Sequence, residues 1–74
     1  MTLDELARDQ AATIVEVTGT DGISVRLLEM GLTEGETIRY LAAAPMGDPI
    51  EYGIRGYRLS LRRSEAKRVR VELV

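Results

Sequence analysis

Histidine, cysteine, tryptophan and phenylalanine are all absent from this 74-residue chain. Without histidine and cysteine it lacks the usual general base at neutral pH, the usual nucleophile–base pair and the best transition-metal ligands. The absence of cysteine also rules out a disulfide or a thiolate metal site as a source of stability, and it suits a reducing compartment. Proline occurs only at Pro45 and Pro49, within one short loop. Long apolar runs are missing too. The longest uncharged stretch, Tyr40 to Gly47, is far short of the ~20 residues a membrane helix needs. Met1 to Leu6 has neither the basic region nor the apolar run of a signal peptide. The expectation is a soluble chain with no direct membrane insertion, reaching a membrane only through a partner.

What is present is a modest core-forming capacity. Hydrophobic residues make up 45% of the chain, enough for one small domain over residues 1–74 with little margin. Self-association into a homo-oligomer is one way to add stability. The charge is unevenly placed. Residues 1–53 hold ten acids against three bases, a net of −7, and residues 54–74 hold seven bases against two acids, a net of +5. Two readings are open. The basic segment forms a surface for an acidic partner, or the two segments interleave in space and their charges pair.

The element pattern is mainly β. Thr2-Leu3-Asp4-Glu5 fits a capping box before a short helical turn, with Leu3 and Leu6 facing inward. Ala11 to Thr18 is rich in β-branched residues and reads as a strand covered on both faces. Asp21-Gly22 marks a turn. Ile23, Leu27 and Met30 recur at helical spacing and predict a short amphipathic helix buried along that stripe. Gly31 then suits a left-handed C-cap. Thr37 to Ala44 predicts a strand with Ile38, Tyr40 and Ala42 on one face. Ile50, Tyr52 and Ile54 alternate with polar or small residues, as do Tyr57, Leu59 and Leu61, and then Val69, Val71 and Leu73. Arg55-Gly56 is a tight hairpin turn, and Gly53 suits a bend or bulge. Ser64 fits an N-cap before a helical turn to Lys67. Five short strands of this kind curl into a small barrel that removes sheet edges. Their order, with one or two short helices, points to an SH3-like barrel.

Little of this sequence carries reaction chemistry. Ser24, Ser60 and Ser64 have no candidate base, so the chain is not expected to be an enzyme and has no catalytic residues to nominate. The best carboxylate pair for a metal is Asp48 with Glu51, three apart around Pro49; Glu34 and Glu36 flank Gly35. Oxygen donors favour hard cations, and two ligands do not make a cage. The basic run Arg58, Arg62, Arg63, Lys67, Arg68 and Arg70 could meet phosphates, but nucleic-acid binding wants exposed aromatics, and all three tyrosines fall on the core parity of their strands. Met46 stands apart, a flexible thioether at the tip of a loop held by two prolines. It either contacts a partner or folds back over the barrel end.

Several ordered pieces of the chain resemble one family. They are Leu3 and Leu6, the run Arg26-Leu27-Leu28-Glu29-Met30-Gly31-Leu32, and Gly35. The loop Pro45-Met46-Gly47-Asp48-Pro49-Ile50 follows, then Arg55-Gly56-Tyr57-Arg58-Leu59-Ser60-Leu61-Arg62 and Glu65-Ala66. Together they resemble the FeoA proteins of bacterial ferrous iron transport over nearly the full length. Two departures are minor. Glu34 stands where the family commonly has proline, and a β-turn accepts either. Met46 stands where a bulkier aliphatic residue is common, a swap that cores tolerate.

The resemblance implies an SH3-like barrel in the bacterial cytoplasm. It implies an accessory role for the membrane ferrous iron transporter that carries a cytoplasmic G-protein domain, with the chain peripheral to the inner membrane through that partner. Similar domains end iron- and manganese-responsive repressors, so transition-metal binding, of Fe(II) or another divalent ion, is the alternative function; no other cofactor is expected. The expected partner-binding residues are Met46, Gly47, Asp48, Arg58 and Arg62, with Asp48 and Glu51 as the weak metal candidates.

Overall fold

A computed structural model describes residues 1–74. After a 3-10 turn at Leu3–Glu5, the elements are β1 (Ala11–Val17), α1 (Gly22–Glu29), β2 (Thr37–Ala43), β3 (Ile50–Ile54), β4 (Tyr57–Leu61), α2 (Arg63–Ala66) and β5 (Val69–Leu73). All five strands join one antiparallel sheet in the order β4-β3-β2-β1-β5.

Local chemistry accounts for the element ends. The Thr2 amide donates to Glu5 Oε1 at 2.7 Å, the backward half of the expected capping box. Asp21 caps α1, accepting from the Ser24 amide at 3.2 Å. Gly31 ends that helix with φ of +99°, the left-handed conformation that residues with a Cβ resist. Arg55 and Gly56 both have positive φ, as a two-residue type I′ hairpin turn requires.

The core is one cluster of fifteen buried apolar residues drawn from every strand and both helices. Leu3 and Leu6 are buried as expected, as are Leu59, Leu61, Val69 and Val71. Strand alternation places Tyr52 fully inside, its ring edge-on to that of Tyr40 at 5.8 Å.

Several expectations are corrected. β1 is fully buried on one face only: Ala12 and Ile14 are buried, while Ala11, Thr13 and Val15 on the other face are half-buried. α1 is rotated from the expected stripe. Its buried residues are Ser24 and Leu27, and Ile23 is 40% exposed. Ser24 tolerates burial because its hydroxyl donates to the Thr18 carbonyl at 2.7 Å. Tyr57 and Leu73 keep core parity but sit where their strands run past the core, and both are exposed. Bulges lie in β1 between Ile14 and Glu16 and in β2 between Tyr40 and Ala42, not at Gly53; Gly53 instead makes room for Leu41, whose Cδ1 would lie 3.2 Å from an added Cβ. Ser64 does not cap α2, which begins at Arg63 with Arg62 as its N-cap residue.

The sheet edges differ from the expected closed barrel. No β4–β5 ladder forms. The β5 edge is covered by the N-terminal residues, through a Thr2–Arg70 bridge and a 2.8 Å bond from the Val71 amide to the Met1 carbonyl. The β4 edge has no such cover.

The uneven charge is resolved in space. All five ion pairs join a group from residues 1–53 to one from residues 54–74: Arg26–Glu65, Arg55–Glu36, Arg58–Glu51, Arg68–Asp21 and Arg70–Glu16. Exposed pairs of this kind add little stability, but they neutralise much of the basic segment.

Candidate functional site

The loop between β2 and β3 is built to hold one apolar side chain in water. A turn bond from the Gly47 amide to the Ala44 carbonyl, 2.7 Å, and one from the Ala44 amide to the Pro49 carbonyl, 3.0 Å, close the loop on itself. Gly47 has φ of +86°. Met46 at the tip is 93% exposed, so it does not fold back over the barrel end.

Arg63 fixes this loop from the other side. Its Nε donates to the Gly47 carbonyl oxygen at 2.6 Å, and its backbone amide donates to Asp48 Oδ1 at 3.0 Å. Asp48 thereby supplies the side-chain acceptor that the first turn of α2 needs, while the Arg62 amide is taken by Glu65 Oε1 at 2.9 Å. Loop and helix thus satisfy each other's backbone groups. In sequence Arg63 is only one member of a basic run, because its role depends on a contact sixteen residues away.

Strand register decides which expected site residues meet. Ile50 pairs with Leu61, so Arg62 follows directly beside the Met46 loop. Arg58 pairs with Gly53, next to the hairpin turn at the other end of β4. Met46, Gly47, Asp48 and Arg62 therefore share one end of the sheet, and Arg58 stands apart from them. Arg58 is paired with Glu51 at 3.5 Å.

The weak metal candidates do not converge. Asp48 faces the Arg63 amide and Glu51 faces Arg58. No group of three or more carboxylates, histidines or cysteines comes together anywhere in the chain.

Two further surface features were not foreseen. On α1, Val25 and Leu28 are half exposed and three residues apart, so they form a second apolar face. The signal was legible as apolar residues in excess of the inward stripe. On the outer sheet face an open groove of about 400 Å³ is lined by Arg39, Leu41, Gly53, Arg55, Tyr57 and Arg58 among others. At its edge the Tyr57 hydroxyl donates to the Met30 carbonyl, tying the β3–β4 hairpin to the end of α1. No helix is long and apolar enough to cross a membrane.

Comparison with known proteins matches this architecture. The FeoA domain family matches residues 1–73. A fusion of Fe(2+) transport protein A with the Fe(2+) transporter FeoB from Porphyromonas gingivalis is 43% identical over all 74 residues, which span only 9% of that protein. The FeoA protein of Chlorobium tepidum superposes with a TM-score of 0.91 at 35% identity, covering 100% of this chain and 70% of that one. Stenotrophomonas maltophilia FeoA, solved with zinc and described as a prokaryotic SH3 domain protein, gives a TM-score of 0.86 at 39% identity over 97% of this chain and 89% of that one. With the family match spanning residues 1–73 and the fold of solved FeoA proteins beneath it, the chain belongs to the FeoA family of ferrous iron transport.

Proposed function

We propose that this chain is a cytoplasmic accessory domain that docks on the membrane ferrous iron transporter, at its cytoplasmic G-protein domain, and acts without catalysis or cofactor. The observation that carries the reading is the fused relative, in which a segment 43% identical to the whole chain is joined covalently to the transporter. A fusion holds the two parts at high effective concentration, which favours a weak contact between them. This chain then lies at the inner membrane through its partner rather than by insertion.

Docking is assigned to the Met46–Gly47–Asp48 loop with Arg62 beside it, and to Arg58 as a second, separate contact. The loop is closed by its own backbone bonds and held by Arg63, so little conformational freedom is lost on docking. Met46 supplies an adaptable apolar contact, and Arg62 makes no ion pair within the chain. The test is co-purification with the transporter's cytoplasmic domain in each nucleotide state. Association that survives moderate salt supports the reading, and none in any state removes it.

A second reading is a divalent-metal module taking Fe(II) or Mn(II) through Asp48 or Glu51 singly, since the two carboxylates face different partners. It is favoured by the zinc held in the crystals of the Stenotrophomonas maltophilia relative. Anaerobic calorimetry decides it: binding that vanishes in Asp48→Asn with Glu51→Gln supports it, and no heat with either metal removes it.

A further inference from the structure

The two edges of the sheet are unequal. The outer edge of β5 is occupied by Met1 and Thr2. β4 pairs only with β3, in the register Ile54–Tyr57, Gly53–Arg58, Tyr52–Leu59, Glu51–Ser60 and Ile50–Leu61. A two-residue turn makes Ile54 and Tyr57 a hydrogen-bonded pair, and the ladder alternates from there. Tyr57, Leu59 and Leu61 therefore spend their backbone groups on β3, while the N–H and C=O groups of Arg58 and Ser60 point away from the sheet. Neither residue's backbone takes part in any turn, loop or side-chain hydrogen bond elsewhere in the chain. Both residues are exposed. This is a short, unoccupied template for another strand.

The side chains along that edge specify what would fit. Arg58 and Gly53 lie opposite each other, and Gly53 lies opposite Arg39 on the next strand. This row has an arginine at each end and no side chain in the middle, and it floors the open groove that Arg55 also lines. No acidic residue lines the groove. On the inward parity Leu59 is the least buried member of the core, at 9%. A second copy of the chain brings no carboxylate to this edge. Antiparallel pairing of two β4 strands about Ser60 would set Arg58 of each copy against Arg62 of the other, and like charges directly opposite are destabilising; pairing about Leu59 would set each Arg58 against Ser60 and leave the arginines without a counter-charge.

We propose that the free edge of β4 takes up an extended acidic segment of a partner as a sixth strand. Backbone bonds to Arg58 and Ser60 hold the segment. Its carboxylates, at every second position, meet Arg62, which makes no ion pair within the chain, and Arg58, which exchanges Glu51 for them, and its intervening apolar residues cover Leu59. This is strand addition, in which the main chain gives affinity and alternate side chains give specificity. The proposal rests on the docking role above and supplies the chemistry of the partner segment.

The test uses a short synthetic peptide alternating glutamate with valine or threonine, added to the intact chain and followed by amide NMR and hydrogen exchange. Exchange at the Arg58 and Ser60 amides is expected to slow at least about tenfold at saturation, the signature of new backbone bonds. A lysine-for-glutamate peptide, or one N-methylated at alternate residues, should not produce it. The Ser60→Pro variant should also fail to bind, since it removes an outward N–H that β3 does not use and proline is tolerated at such edge positions. If Ser60→Pro does not fold, the N-methylated peptide makes the same test on the unaltered chain. Peptide shifts confined to the Met46 loop, or unchanged exchange at both amides, would overturn the proposal. Slow exchange of both amides without peptide, together with a dimeric mass, would overturn it in favour of self-pairing. If the glutamate peptide protects the edge but the transporter's cytoplasmic domain does not bind the chain, the docking role fails and the edge site stands.

Discussion

The Nε of Arg63 donates to the carbonyl oxygen of Gly47 at 2.6 Å, so the first residue of α2 holds the loop that presents Met46. The neighbouring bond from the Arg63 amide to Asp48 runs the other way in function, with the loop capping the helix. Each is the other's support, and both precede any partner.

Removing the side chain tests this coupling. Arg63→Ala is expected to lower stability by about 1 kcal/mol, the usual worth of one partly solvated bond to a charged donor. It should also speed amide exchange at Gly47 while leaving the strands unchanged. Arg63→Lys lacks the directed Nε–H and should behave more like alanine than like arginine. Unchanged exchange at Gly47 would mean the loop holds itself.

Gly31→Val is expected to destabilise by about 2–4 kcal/mol, because a β-branched residue resists φ of +99° and an added Cβ would lie 2.7 Å from the Tyr57 hydroxyl oxygen. Gly31→Ala in a Tyr57→Phe background should lose less than Gly31→Ala alone, since the clashing oxygen is gone. Equal losses by denaturant titration would place the whole effect in the backbone.

Much of the fold was legible because it rests on local patterns. Period-two alternation gave Tyr52, Leu59 and Val71 their inward positions, and Gly31 and Arg55-Gly56 announced their turns. The misassignments have a common cause. Ser24 is buried because the Thr18 carbonyl satisfies its hydroxyl, and Asp48 caps a helix fifteen residues away; both depend on contacts that no local pattern encodes. Arg58 and Arg62 lie four residues apart in sequence, but Arg58 sits on β4 beside the hairpin and Arg62 follows the strand, beside the Met46 loop. The strand parity itself is checked by substitution. Leu59→Ala should destabilise by about 2–4 kcal/mol and Ser60→Ala by under about 0.5 kcal/mol, and the reverse order would shift the register by one residue.

Acid should weaken one tie between α1 and β5. A hydrogen bond from Arg68, with help from the Ser24 amide, lowers the Asp21 carboxyl from 3.8 to about 2. The folded value lies below the unfolded one, so the contribution is present above about pH 4 and is lost as the pH falls toward 2. Asp21→Asn should flatten the pH dependence of stability in that window. An identical acid profile in the variant would remove Asp21 from the account.

At the alkaline end the governing group is Tyr52. Burial raises its hydroxyl above the ordinary 10.0, so its contribution is full below that value and declines as the pH rises past it. Tyr52→Phe should resist alkaline unfolding better than the parent, relative to each protein's stability at neutral pH. Parallel profiles would show that another group controls this limb.

The central claim is docking on the transporter through the Met46 loop. Its most direct test is the affinity of the intact chain for the transporter's purified cytoplasmic domain, compared with Met46→Ser combined with Arg58→Glu. Both side chains are exposed, so the melting temperature should stay close to the parent. The affinity is expected to fall at least about tenfold, or ~1.4 kcal/mol. Unchanged affinity in a folded double variant, or no binding by the parent chain in any nucleotide state, would contradict the account.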